Sequence, residues 1–421
     1  METENKSTNR FIVFWKKLGP GLITGASDDD PSGITTYTQA GAKFGTKLLW
    51  TAIITYPLMV AIQEMCARIG LVTNHGLTGT IKKYYSKYLL YLILIVSFPS
   101  IILNIGADIA GMGAVGNLLL PKIPAYLFSI LFTAILIYSI VFWSYHKIAT
   151  ILKWLCISLF SYIIIPFLTQ TDWLQILKDT IIPGFENSKD YVMMLVAILG
   201  TTISPYLFFW QASMEVEEVN EKQIIVDKQI VTDMETDVRG GLSLTNVVFF
   251  FIILSSGTVL FKAGIHDIDT VEQAASALKP LAGNMAYILF ALGVIGTGFL
   301  AIPVLAGSLS YMLAECFDWE QGLNKKFNEA KGFYITLIVA LLVGLAVLFL
   351  GISPIKALLY TAVLYGITAP LLIALLLHIS NNKAIMGDYT NGKIANTLGV
   401  ITFLLMTVSA FVLLYMFLTE I

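Results

Sequence analysis

A chain of 421 residues that is 57% hydrophobic and only 13% charged is too apolar for a soluble domain, where roughly a quarter of residues carry charge. A net charge of −2 argues against a nucleic-acid partner. Cys66, Cys156 and Cys316 sit in or beside separate apolar runs without metal-ligand spacing and read as small buried hydrophobes.

The chain opens on a short polar stretch, METENKSTNR, that lacks a cleavable signal pattern. Two apolar segments follow, at about 19–43 and 48–72. Beyond them, runs free of Asp, Glu, Lys and Arg recur at 88–107, 123–145, 154–171, 191–214, 240–261, 281–314, 332–355, 357–382 and 394–419. A bilayer core needs ~20 apolar residues per helix, so the pattern predicts an all-α polytopic membrane protein of about eleven spans. With the N-terminus cytoplasmic, seventeen Lys and Arg fall on the inner side and eight on the outer, with Lys153 at the edge of a span. That asymmetry predicts N-inside and C-outside.

Two spans are interrupted. In GASDDDPSGITTY (25–37), Asp28, Asp29 and Asp30 precede Pro-Ser-Gly in the middle of the first. In the sixth, Thr201-Thr202-Ile203-Ser204-Pro205-Tyr206 follows LVAILG. Proline removes a backbone donor and glycine tolerates unusual conformations, and non-helical backbone survives in a membrane only inside protein or against a wet cavity. The first and sixth helices are corresponding members of two five-helix halves. Paired breaks of this kind predict an inverted-repeat transporter with its site at the midplane, and intramembrane carboxylates reinforce that reading. The expected organisation is a cytoplasmic N-terminus (1–18), a first repeat (19–168), an extracellular loop (169–190), a second repeat (191–378), a cytoplasmic loop (379–394) and an eleventh helix with the C-terminus (395–421).

The sequence resembles a known family. GPG at 19–21 followed by DPSG at 30–33 is similar to the first helix of the NRAMP transporters of divalent metals. QEMCARIGLVT (63–73), ADIAGMGAVGNLL (107–119), GTTISPYLFFWQAS (200–213) and LGVIGTGFLAIPVLAGSLSYML (292–313) resemble that family's second, third, sixth and eighth helices. The resemblance implies a LeuT-like inverted repeat, helices 1–5 and 6–10, with unwound helices 1 and 6.

The departures shape the expected cargo. Where the family's transition-metal carriers hold an Asp, an Asn and a Met, this chain has Asp30, Gly33 and Ser204. A thioether suits softer ions than Mg(II); without it the ligands are oxygens from Asp30, Asp29, hydroxyls and freed carbonyls. Gly33 and Ser204 also replace larger side chains and so predict a wider cavity for a partly hydrated Mg(II), which gives up water reluctantly. This combination resembles the prokaryotic NRAMP-related magnesium transporters, which implies a prokaryotic plasma membrane. The family's third-helix Asp and Glu are Asp108 and Gly111 here, and its two sixth-helix histidines are Tyr206 and Gln211. Neither replacement titrates near neutrality, so uptake without proton coupling is expected. At ~2.3 kcal/mol per charge per 100 mV, a divalent ion gains about 4.6 kcal/mol, roughly a thousandfold accumulation.

Among single residues, Asp30 is the expected ligand. Asp29 and Asp28 either hold the ion's water or serve structurally, one capping the second half-helix or meeting the Ser27 or Thr35 hydroxyl. Tyr206 either touches coordinated water or packs, and Thr201 and Ile203 offer carbonyl oxygen. Gln211, Glu64 and Asp108 are candidates for the ion path, although an i, i+4 pair of Glu64 with Arg68 is the default. Glu215, Glu217, Glu218 and VDKQIVTDMETDVRG read as a solvated acidic loop. The four histidines form no metal pair, no Walker motif occurs, and no cofactor, enzyme activity or obligate protein partner is expected. Two alternatives to Mg(II) uptake, with Mn(II) as a secondary ion, stay open: a proton-coupled Mn(II)/Fe(II) carrier, and a sodium-coupled organic-solute carrier on the same scaffold.

Overall fold

The computed structural model describes residues 20–143 and 157–419. The N-terminal 19 residues, with Gly19 of the GPG motif, and the segment holding His146, Lys147, Lys153 and Cys156 lie outside the described residues. Every regular element described is helical. The first span is two helices, α1 (Pro20–Asp28) and α2 (Pro31–Phe44), and α3 (Trp50–Thr73) is the second. A short α4 (Leu77–Tyr84) leads into α5 (Lys87–Leu119), and α6 (Ala125–Phe142) follows. The fifth span is seen from Ile157, ending in α7 (Ser161–Leu168), and α8 (Trp173–Ile181) leads to the sixth. That span is again two helices, α9 (Lys189–Thr202) and α10 (Pro205–Lys222). The remaining spans are α11 (Lys228–Ser256), α12 (Ala286–Phe317), α13 (Lys331–Ala346), α14 (Pro354–Asn381) and α15 (Lys393–Leu418).

This is the expected eleven-span arrangement, a LeuT-like inverted repeat with both breaks where proline and glycine place them. The packing carries the repeat's symmetry. Both halves of the first span pack on α11, the seventh, while the inner half of the sixth, α10, packs on α3, the second. These contacts are close because small residues face backbone. A Cβ at Gly25 would lie 2.4 Å from the Gly241 carbonyl oxygen, and one at Gly70 would lie 2.1 Å from that of Ala212. Burial sorts the helices: 94% of the apolar window of the sixth span is buried, against 33% for α6 and for α15. The broken helices are central and the unbroken outliers face lipid.

Several boundaries differ from expectation. α5 runs 33 residues, well past the run ending at 107, because Asp108 lies inside the helix on a buried face. The segment read as a solvated acidic loop is instead the start of α11, with Asp227 as its N-cap accepting from the Ile230 amide at 2.8 Å. Its Asp237 is buried and accepts the Gly21 amide at 2.7 Å, so α11 ties down the start of α1. Glu215 and Glu217 are not solvated either. Glu215 accepts from Gln211 at 2.8 Å, and Glu217 accepts from the Tyr311 hydroxyl and from the Leu323 amide at 3.0 Å. Charge had hidden a helix whose acids serve as acceptors for neighbouring elements.

Candidate functional site

The two breaks share a local grammar. Each begins a new helix with proline at its first position, where the missing N–H is one that would go unpaired anyway. At the first break Asp30 is the N-cap of α2, and its Oδ1 accepts the Gly33 amide at 2.6 Å. The capping role considered for Asp28 or Asp29 therefore belongs to Asp30. Its other oxygen, Oδ2, accepts from Nδ2 of Asn104 on α5 at 3.0 Å. At the second break Ser204 is the N-cap residue of α10 without a side-chain cap bond. Its hydroxyl points back and donates to the carbonyls of Thr201 at 2.6 Å and Gly200 at 3.2 Å.

Hydrogen bonds join the breaks to each other. The Tyr206 hydroxyl donates to the Ser27 carbonyl at 3.0 Å, and Tyr37 and Thr202 share a bond of 3.2 Å. Ser308 of α12 donates to the Tyr206 carbonyl at 3.0 Å. Around the bare α-carbon of Gly33 the lining is oxygen. A Cβ there would lie 3.2 Å from the Asp28 carbonyl, 3.3 Å from the Thr201 hydroxyl and 3.4 Å from Asp30 Oδ1. The Thr201 side chain thus faces the site, which corrects the expectation that this residue offers its carbonyl alone. The carbonyl ends of α1 and α9 both terminate here, and helix C-termini carry partial negative charge that favours a cation.

Asp28, Asp29, Asp30 and Asp108 are each at most 5% exposed. Both oxygens of Asp28, both of Asp108 and Oδ1 of Asp29 are buried without a hydrogen-bond partner. Buried carboxylates in that condition are costly unless a positive charge or proton accompanies them. Among the described residues no three His, Cys, Asp or Glu side chains gather in metal-ligating geometry. A cation here would therefore be held by carbonyl and hydroxyl oxygen together with the aspartates.

The site is closed towards both ends. Towards the face where α1 begins, Thr24 donates to Gln211, so Gln211 links α1 to α10 beneath the breaks. Further out, Glu64 pairs with Arg239 at 2.6 Å, while Arg68 pairs with Glu235 at 3.0 Å and Asn391 at 2.9 Å. The expected Glu64–Arg68 pair is absent because each side chain turns across to α11. Towards the opposite face, Ser32 donates to the Leu358 carbonyl at 2.7 Å and α2 packs on α14. The space around Gly33 is tight, with three oxygens 3.2–3.4 Å from where a Cβ would sit. An open depression of about 600 Å³ lies away from the breaks near Lys47, Asp179, Glu186 and Phe261.

Two contributors escaped the sequence reading. Asn104 and Tyr365 are fully buried beside the aspartates, and the Tyr365 ring lies 5.8 Å from that of Tyr206. Asn104 had a signal: it is a lone amide in an apolar run, four residues before Asp108 and hence on the same helix face. Tyr365 had none, since one tyrosine in an apolar helix looks like any other.

Residues 21–416 match the family model described as natural resistance-associated macrophage protein-like, Nramp. The chain belongs to the Nramp family. Nramp relatives cover most of it. The divalent metal cation transporter MntH of Clostridium acetobutylicum is 26% identical, over 95% of this chain and 91% of its own. That of Caldanaerobacter subterraneus is 23% identical, over 92% of this chain and 90% of its own. In fold, a crystal structure of a point mutant of the Eremococcus coleocola manganese transporter matches with a TM-score of 0.77 at 18% identity, covering 97% of this chain and 87% of that one. The nucleobase-cation-symport transporter Mhp1 shares the architecture more distantly, with a TM-score of 0.56 at 12% identity over 94% of this chain and 92% of its own. Family membership makes the chain a multi-pass membrane transporter and not an enzyme.

Proposed function

We propose that this Nramp protein carries a divalent metal ion across the membrane by alternating access, with Mg(II) as its preferred cargo, Mn(II) as a secondary ion, and no coupled proton. The observation that carries the choice of ion is the lining at Gly33: the Asp28 carbonyl, the Thr201 hydroxyl and the Asp30 carboxylate, with serine rather than a thioether at 204. All-oxygen surroundings suit a hard ion. Asp30 would be the central ligand, already held by Gly33 and Asn104, while Asp28, Asp29 and Asp108 would supply charge to the ion or its water. Thr201, Ser204 and Tyr206 would complete the lining, and Gln211 and Glu64 would lie on the path towards the cytoplasm. On this reading the face where α1 begins is the cytoplasmic one, as the excess of Lys and Arg on that side supports. The absence of a coupled proton is supported by Gly111, which puts no titratable group on α5 three residues after Asp108.

A second reading, the proton-coupled Mn(II)/Fe(II) carrier, has its own support. The relatives' names, divalent metal cation transporter and manganese transporter, favour it over magnesium. One experiment separates the two. Purified protein in liposomes at a fixed inside-negative potential is given Mg(II) or Mn(II), with internal pH recorded and Asp30→Ala as control. Mg(II) uptake without acidification, lost in the variant, supports the first reading. Uptake confined to Mn(II), with acidification, overturns it in favour of the second.

A further inference from the structure

We propose that α8 is an interfacial helix lying in the bilayer surface, with its apolar stripe seated among acyl chains of the leaflet on the side opposite the start of α1. α8 connects the fifth and sixth spans and has three distinct sides. At 100° per residue, Trp173, Leu177, Ile181 and Leu174 fall within an arc of about 100°. Their exposures are 47%, 56%, 65% and 78%. Ile176 on another side is buried, and Asp179 beside it takes the Thr46 hydroxyl. The third side carries Gln175 and Lys178, both exposed.

Two observations make lipid the occupant of the stripe. First, it is continuous with surface that lipid must cover. Phe167 and Leu168 at the end of α7 are 65% and 54% exposed, and the Phe167 ring lies 4.9 Å from that of Trp173. α8 itself packs on α3, whose Ile53 and Ile54 are exposed near its first turn. Second, the stripe continues into Ile182 and Phe185, 57% and 75% exposed. A depression of about 580 Å³ along it is lined by Leu174, Leu177, Ile181 and Ile182 together with Asp172, Gln175 and Lys178. Four apolar side chains bordered by Asp172, Gln175 and Lys178 match acyl chains on one side and the water boundary on the other, the pattern of helices that lie on membranes.

The placement gives the bilayer a grip on the first broken span. Thr46 and Lys47 lie in the turn after α2, and they bind Asp179 of α8 and Glu186 just beyond it, the latter at 3.3 Å.

The test places a nitroxide at Leu177→Cys, Ile181→Cys or Gln175→Cys, one at a time, in full-length protein lacking its native cysteines and reconstituted in vesicles. Collision rates with oxygen and with a water-soluble nickel chelate are compared. Oxygen exceeding nickel at 177 and 181, with the reverse at 175, supports the assignment. Nickel access at 177 equal to that at 175 overturns it, as does dipolar broadening between labels at 177, which would mean that a second copy covers the stripe. Should the cysteine-free chain fail to fold, the same positions in the native-cysteine chain are exposed to a membrane-impermeant maleimide in vesicles. Labelling at 175 but not at 177 supports the proposal, and equal labelling at both overturns it.

Discussion

The two broken helices solve the same backbone problem with different chemistry. At the first break a charged side chain caps the new helix, and three aspartates crowd the gap. At the second the residue before proline is neutral, and its hydroxyl is turned back onto the carbonyls of the helix it follows. One break holds charge and the other holds oxygen dipoles. The two are also coupled, through the Tyr206 hydroxyl on the Ser27 carbonyl and the Tyr37–Thr202 bond.

The largest expected effect separates Asp30's two duties. Asp30→Asn keeps an acceptor for the Gly33 amide, and asparagine caps helices as well as aspartate. It should leave thermal stability nearly unchanged while lowering metal uptake by more than about a hundredfold, beyond what loss of an outer-shell partner alone costs. Asp30→Ala should lose the same uptake and about 1 kcal/mol of stability as well. Equal uptake by wild type and Asp30→Asn would show that Asp30 is only a cap.

Next comes Asn104→Ala, which frees Asp30 Oδ2 from its side-chain donor. An outer-shell partner of a metal ligand is typically worth ten- to a hundredfold in affinity. The apparent KM for metal should therefore rise by at least about tenfold with little change in maximal rate, as read from concentration-dependent uptake. A smaller effect belongs to the neutral break. Ser204→Met adds a thioether and should move the Mn(II)-to-Mg(II) uptake ratio by roughly tenfold, equivalent to about 1.4 kcal/mol. An unchanged ratio would mean that the second break does not contact the ion. Smallest in its effect on uptake is Arg239→Ala, beyond the breaks on the side where α1 begins. The Arg239 side chain is 54% exposed but that of Glu64 only 8%, so the variant leaves a buried carboxylate without its partner and should cost about 1–3 kcal/mol. A calorimetric melt should fall by only a few degrees.

Much of this was readable before any coordinates. Span count and both breaks follow from charge-free runs and from Asp-Pro and Ser-Pro, because membrane burial forbids what would blur those signals in a soluble protein. Partnership across helices was not readable. Glu64 and Arg68 sit at a spacing that suggests they bind each other, yet α11 supplies Arg239 and Glu235 to them instead. The acids of 215–237 looked solvated because hydropathy records their charge and not the Gly21 amide or Tyr311 hydroxyl they accept. α8 was missed for a related reason: nine residues with two charges are too few and too mixed to read as a membrane element.

The bond from Tyr206 to the Ser27 carbonyl has a consequence for unloading. On the proposed site, the last turn of α1 would be at once a wall of the binding chamber and the part of the door nearest its latch. If α1 swings away to open the side on which it begins, the Asp28 carbonyl leaves the neighbourhood of Gly33 and the Tyr206 hydroxyl loses its acceptor in the same motion. The chamber would then come apart as it opens, and the departing ion would be released by the loss of its container rather than pulled from an intact one.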